Sequence, residues 1–455
     1  MSSVNPDLLT AVTAHIDTNQ RAYLDRLITY LRQPSISAQG IGIAEVADML
    51  RNWLQDLGFE AELKATAGWP MVLGKRIEDP DLPTVMLYGH YDVQPPDPLE
   101  LWESPPFEPT IRNGRLYARG VGDNKGQHTA HLFAIESLLA VNDGQLPCNI
   151  IYLLEGEEEI GSPHIAQFIA EYKDELQADL VIISDGPVEQ DGHSSIEFGV
   201  RGIVSFELRA RGANTDLHSG NWGGVVPNPI WTLVHLLGTM KNAQGEITIE
   251  GFYDNVEPPT ELEREALRTM PIDVEAVKQE LELTRLDVPE ERPYYDRLAL
   301  WPTFTINGLH GGYGGAGLKT VLPCEAFVKC DMRLVEAQSV DEIMEKVAAH
   351  VQKHAPEVEM IRRGGMDPSK TPLDSPYTEP LVKAITAVQG EAPILRPAMG
   401  GSLPNYVFTK TLGLHTFVVP YANADEANHA PNENMEIWRI YQGIKTSASM
   451  LLHLA

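Results

Sequence analysis

Short continuous apolar runs alternate with longer segments of helical periodicity through the first part of the chain. Residues 84–87 (TVML), 149–154 (NIIYLL) and 178–183 (ADLVII) have the length and the Val and Ile content of strands covered on both faces. Residues 128–141 (HTAHLFAIESLLAV) and 163–176 carry helical spacing and fall between those runs. Strands alternating with helices predict βαβ units and a mainly parallel sheet. The pattern changes near residue 195. Residues 195–210 (SIEFGVRGIVSFELRA) and 325–334 (EAFVKCDMRL) alternate apolar with polar positions, as half-buried antiparallel strands do. A helix is expected between them at 229–240. Beyond about residue 368 the first pattern returns, with a helix over 376–388, a strand over 414–419 and a long final helix over 436–454. The expected fold class is α/β: a mainly parallel-sheet domain made of residues 1–195 and 369–455, interrupted by an inserted α+β domain at 196–368. The sequence contains no internal repeat and no low-complexity segment.

Composition alters this picture little but removes whole classes of function. A chain of 455 residues exceeds one compact core, which agrees with two domains. The 64 acidic against 35 basic residues give a net charge of −29, which argues against a nucleic-acid partner, where a basic face is expected. Cys148, Cys324 and Cys330 are too few for a disulfide framework, so reduced thiols and a cytoplasmic protein are expected. Residues 1–20 lack a basic start followed by an apolar core, so no secretory signal is expected. No long uncharged apolar stretch suggests a membrane span.

The candidate chemistry follows the strand-like runs. GHYDVQP (89–95), EGEEEIGS (155–162) and IISDG (182–186) each end one of them, and GVGDNKG (120–126) and ANHAPNE (427–433) add two further segments. In parallel sheets ligands bind beyond the carboxyl ends of the strands, where His90, Glu158, Glu159 and Asp185 fall. His, Asp and Glu without Cys form a donor set suited to zinc, manganese or cobalt. Two neighbouring ions need a bridging carboxylate, and Asp123 in its Gly-flanked turn is the natural candidate. Asp92 stands two residues past His90, so on an extended segment it could hold the second ring nitrogen. Glu158 and Glu159 are adjacent and cannot both point the same way. One can bind metal while the other acts as general base on a water. Taken singly, each piece has an ordinary reading. Residues 157–159 could be a solvated acidic loop, Asp185 a turn residue before Gly186, and His429 a helix-entry loop residue. Their joint occurrence favours a two-metal hydrolase site.

These motifs resemble those of the dinuclear-zinc metallopeptidase family that holds aminoacylases, bacterial glutamate carboxypeptidases and desuccinylases. DLHSGNWGG (216–224), GGAGLKTVLP (314–323), MRLVE (332–336) and GGSLP (400–404) resemble its carnosine and cysteinylglycine dipeptidase branch in particular. The resemblance covers nearly the whole chain and implies roles residue by residue. His90 and Asp185 would hold one ion, Glu159 and His429 the other, with Asp123 bridging. Glu158 would be the general base, Asp92 would orient His90, and the Asp123–Asn124 peptide would be cis. His218 would reach the active site of a partner subunit and help hold the scissile carbonyl oxygen. Arg333 would grip the substrate's terminal carboxylate, a task suited to a planar bidentate donor. Ser402, beside Gly400 and Gly401, would line the same pocket. The discontinuous domain would be catalytic, and the inserted one a lid carrying the homodimer contact. The cofactors would be two divalent ions per subunit, zinc first, with manganese or cobalt as alternatives. The implied reaction is hydrolysis of dipeptides or short peptides with a free terminal carboxylate. In it Glu158 takes a proton from a metal-activated water and passes it to the leaving amine.

Two other readings share parts of this pattern. An N-acyl-amino-acid amidase of the same family would keep the metal motifs but would not require a free amine. A non-catalytic, metal-stabilised binding protein would have no use for Glu158 beside an intact ligand set. GGYGGAGLKT (311–320) is similar to a phosphate-binding loop, but its Lys does not directly follow the last Gly and no buried strand clearly precedes it. A flexible lid loop touching substrate is the expectation there.

Overall fold

The computed structural model describes residues 6–270, 272–287 and 294–455. The apolar runs form the middle of an eight-stranded sheet. Thr84–His90 lies between Asn149–Glu155 and Leu180–Ile183, parallel to both, with Val85 opposite Ile150 on one side and Leu180 on the other. His415–Val418 adds a further parallel neighbour beside Leu180–Ile183. Met71–Arg76 and Glu60–Lys64 extend one edge antiparallel, and Ser195–Glu197 and Ile394–Arg396 complete the other. Every residue of Asn149–Glu155 and Leu180–Ile183 is buried, as uninterrupted apolar runs require. Helices Pro6–Leu31, Lys125–Val141 and Ile437–His453 pack on one another. Lys125–Val141 is buried along most of its length, and its apolar residues accordingly occupy more than one face.

The chain divides into two compact units. The first comprises Met1–Gly199, Thr371–Arg396 and Val407–Ala455, and the second comprises Val200–Lys370 and Pro397–Tyr406. The sequence pattern puts residues 397–406 with the discontinuous domain, and here the structure differs. Arg201 Nε donates to the Gly400 carbonyl at 3.0 Å, and Arg333 Nη1 donates to Ser402 Oγ at 2.7 Å. Such polar contacts leave no mark in hydrophobic periodicity.

The second unit contains a four-stranded antiparallel sheet in the order Thr303–Gly311, Glu325–Leu334, Gly202–Arg211, Glu359–Met366. The alternating pattern turns Val204, Phe206, Leu208, Val328, Cys330, Met332 and Leu334 into a core covered by helices Pro229–Met240 and Val340–His354. The strand expected over 195–210 is split, because Ser195–Glu197 belongs to the large sheet and Gly202–Arg211 to the small one. The helix expected over 163–176 shortens to Ile165–Glu171 followed by a single turn, Lys173–Glu175. Residues 311–320 lead into the short strand Val321–Leu322 rather than a helix, so the strand–loop–helix arrangement of a phosphate site is not formed. Among the described residues, no helix is long and apolar enough to cross a membrane.

Candidate metal centre

Three adjacent parallel strands deliver the site. His90 is the last residue of its strand and stands opposite Glu155, while Tyr88 stands opposite Ile183. Neighbouring strands therefore end at nearly one level. Glu158 and Glu159 lie in the short turn that follows the second strand, and Asp185 lies two positions past the third. Asp123 comes from the turn that leads into helix Lys125–Val141, and His429 from the segment after His415–Val418. The Asp123–Asn124 peptide is cis.

The side chains converge on two groups that share one member. His90 Nε2 is 3.0 Å from Asp123 Oδ1 and 3.5 Å from Asp185 Oδ2. His429 Nε2 is 3.0 Å from Asp123 Oδ2 and 3.2 Å from Glu159 Oε2. Each oxygen of Asp123 thus faces a different imidazole. His90–Asp123–Asp185 and Asp123–Glu159–His429 each present ligand atoms lying within 4.8 Å of one another.

The electrostatics of these groups call for positive charge. Burial alone would push the His90 imidazole down, but Asp123, Asp185 and Asp92 hold it well above its ordinary value. Asp123 and Glu159 hold His429 up at about 10. Burial pushes Glu159 up to about 7, with Asp123 adding to the shift. Burial also raises Glu158 well above the usual carboxylate range; His90 opposes this, while Asp185, Asp123 and Glu159 reinforce it. Burial would raise Asp123 as well, yet its bond to His429 and the nearby His90 imidazole lower it. Four carboxylates crowd around two imidazoles, and the buried Nε2 of His90 forms no proper hydrogen bond. Nitrogen and oxygen donors in this arrangement fit divalent ions of the zinc, manganese and cobalt type.

Surrounding polar groups hold the ligands in place. Asp92 faces the second ring nitrogen of His90 and makes further contacts besides. His90 Nδ1 lies 3.1 Å from the Asp92 main-chain oxygen and 3.4 Å from its carboxylate. The strand ends at His90, so Asp92 does not continue it. Its carboxylate also accepts the backbone N–H groups of Glu158 at 3.2 Å and Glu159 at 3.1 Å. Sequence reasoning also passed over Gln94 and Asn124. Gln94 Nε2 donates to Glu159 Oε2 at 2.9 Å and to its carbonyl at 3.0 Å. Asn124 accepts from the His90 N–H at 3.3 Å and donates to the Ser184 carbonyl at 2.7 Å, tying two strand ends together. Both residues lie inside motifs singled out by sequence, and that position was the available signal. The remaining expected residues lie in the second unit. His218 is exposed and accepts the Gly220 N–H at 3.0 Å. Arg333 and Ser402 are brought together by their hydrogen bond, with Gly401 exposed beside them.

Residues 86–453 match the sequence family described as Peptidase family M20/M25/M40. The chain belongs to that family. It is an enzyme of the metallopeptidase type. The chain is similar to the Beta-Ala-His dipeptidase of Mus musculus, 29% identical over an alignment covering 100% of this chain and 97% of that protein. It is similar to the Cys-Gly metallodipeptidase of Schizosaccharomyces pombe, 28% identical with 97% of each chain covered. Its structure is similar to that of an M20 family metallo-carboxypeptidase from Sulfolobus solfataricus, with a TM-score of 0.88, 37% identity, and 95% of this chain and 99% of that chain covered.

Proposed function

We propose that this M20-family enzyme is a metal-dependent dipeptidase acting on dipeptides or short peptides with a free terminal carboxylate. The observation that carries the reading is Asp123, whose two oxygens each face a separate histidine group at 3.0 Å. His90 and Asp185 would hold one ion and Glu159 and His429 the other, with Asp123 shared between them. Zinc suits this donor set first, and manganese or cobalt also suit it. When bound, such ions activate water, polarise the scissile carbonyl and offset the crowded acids. Glu158 takes the proton of the attacking water and passes it to the leaving amine. Asp92 holds the backbone of both glutamates, so it keeps Glu158 and Glu159 in fixed relation. Arg333, steadied by Ser402 and flanked by Gly401, receives the substrate's terminal carboxylate. The dipeptidase names of the mouse and fission-yeast relatives support this choice over other amides.

The second unit acts as a lid and as the contact of a homodimer, through which His218 serves the partner subunit's site. Thr303–Gly311 forms an edge of its sheet and exposes Ile306 and Leu309, while helix Pro229–Met240 exposes Trp231 and Val234. Apolar side chains beside an open strand edge support pairing with a second copy. Sedimentation of the purified chain as a monomer would remove this part of the reading. The reduced thiols Cys148, Cys324 and Cys330 support a cytoplasmic setting.

Hydrolysis of a dipeptide panel, with N-acyl amino acids alongside, tests the activity. Metal-stripped protein, zinc- and manganese-loaded protein and Glu158→Ala are compared. The expected result is metal-restored dipeptide cleavage that vanishes in the variant. Cleavage of acyl amino acids alone would replace the dipeptidase with an amidase of the same family.

A further inference from the structure

Glu433, the last residue of ANHAPNE, has no part in the reaction proposed above. It is nevertheless completely buried and highly connected. Its Oε1 accepts the N–H groups of Gly122 at 2.9 Å and Asp123 at 3.1 Å. Its Oε2 accepts the N–H of Gly120 at 3.0 Å and Arg119 Nη1 at 2.7 Å. Arg119 is itself buried and lies 5.4 Å from the centre of the Trp102 ring. Backbone N–H groups gathered round one anion form a nest, and a charge-assisted bond closes this one. The chain around Glu433 is therefore shaped by a single carboxylate.

That carboxylate joins the two segments that have to meet for the Asp123–Glu159–His429 group to exist. On one side is the Gly120–Asp123 turn. Gly120 has a φ of 88°, a conformation that favours glycine, and a Cβ on Gly122 would lie 2.1 Å from Glu426 Oε2, so a larger residue there has to displace that carboxylate. On the other side is the His429 loop. Ala427, His429 and Asn432 adopt φ values of 57°, 56° and 64°, a region that side chains enter only when their surroundings impose it. His90 and Asp185 need no such clasp, because one ends a central strand and the other follows its parallel neighbour.

We propose that Glu433 is a positioning residue whose carboxylate fastens the His429 loop to the Gly120–Asp123 turn and so sets the metal affinity of the Asp123–Glu159–His429 group. This rests on the two-metal reading of the site. The test uses full-length protein stripped with a chelator and titrated with cobalt, read by visible absorption, and with zinc, read against a chromophoric chelator. Glu433→Gln keeps the side chain's size but removes its charge and one acceptor oxygen. Its affinity for the ion of the Asp123–Glu159–His429 group is expected to fall about 10- to 100-fold, the scale typical of lost outer-shell support, and that for the other ion by less, because it shares Asp123 but keeps His90 and Asp185. Excess metal is expected to restore kcat with KM unchanged. Arg119→Met leaves the three backbone donors and is expected to weaken the same ion by a smaller factor. It carries the test if Glu433→Gln does not fold. Parental affinity for both ions in a folded variant would overturn the proposal. An unsubstituted protein that binds no ion at all would instead refute the metal reading on which it stands.

Discussion

Acidic side chains are buried in both compact units, and those of the second unit are treated differently from those of the metal centre in the first. In the second, the chain supplies the countercharge. Lys370 reaches Glu263 at 2.7 Å and Glu336 at 2.6 Å, and Glu207 sits between Arg209 at 2.8 Å and Arg363 at 2.9 Å. In the first, Asp123, Glu158, Glu159 and Asp185 gather round His90 and His429, and burial raises two of them. A buried acid with its own cation is part of the scaffold, whereas a buried cluster short of cations has a place for one. The contrast teaches that burial of charge is not itself the sign of function. The sign is burial without compensation from the chain.

The largest expected effect separates the base from the ligands. Glu158→Gln should lower kcat by about 10²- to 10⁴-fold, the range for loss of a general base. Metal content by mass spectrometry should stay at the parental value, and loss of an ion would show that Glu158 is a ligand instead. Next, Lys370→Met should destabilise the second unit by about 3–5 kcal/mol, since it strands a buried carboxylate. Denaturant melts would read the loss, and metal content should not change.

The same pair gives the second unit a pH signature. Burial pushes the Glu263 carboxyl up, but Lys370 and the Thr260 N–H hold it below its ordinary value. Its contribution is therefore complete above the ordinary carboxylate range and is lost as pH falls through the depressed value. Burial pulls the Lys370 amine down, yet Glu263 and Glu336 hold it above its ordinary value. Its contribution is complete below that ordinary value and is lost as pH rises through the raised one. Amide protection factors in the second unit, corrected for the intrinsic pH dependence of exchange, should be highest between these limits. Protection that keeps rising into strong acid would contradict the pairing.

A chelator should act on the first unit alone. Each ion at about a hundred times its dissociation constant contributes about 2.7 kcal/mol to the folded state, and that increment should disappear on chelation and return on reloading. Equal loss of exchange protection in both units would blur the contrast. The smallest effect is Thr260→Ala. Thr260 accepts the Glu263 N–H at 3.2 Å and donates its own N–H to the Glu263 carboxylate at 2.6 Å, closing a capping box. Its loss should cost about 1 kcal/mol by thermal melting, with activity retained.

The parts of the molecule that sequence made legible are those with a period. Residues 229–240 and 325–334 form the helix and the strand that their spacing implies, because each has one face against the core of the second unit. His90 and Asp185 were legible because apolar runs run straight into them. What escaped depends on turns and on single polar contacts. Residues 397–406 join the second unit through Arg201 and Arg333, and Asp92 holds the backbone of two glutamates in addition to facing His90. No spacing rule encodes either choice.

The discontinuity of the first unit bears on the order in which the protein can be made. Asp123 and His429 are separated by 306 positions, and Leu180–Ile183 waits for His415–Val418 to cover its free side. While a ribosome is still reading the intervening message, the growing polypeptide carries an apolar strand with an open edge, the kind of surface that invites aggregation and chaperone capture. A premature stop before residue 415 is therefore expected to yield insoluble material rather than a soluble, inactive fragment, and fractionation of such a product would reveal which. The segment from residue 415 onward would then guard the solubility of everything translated before it.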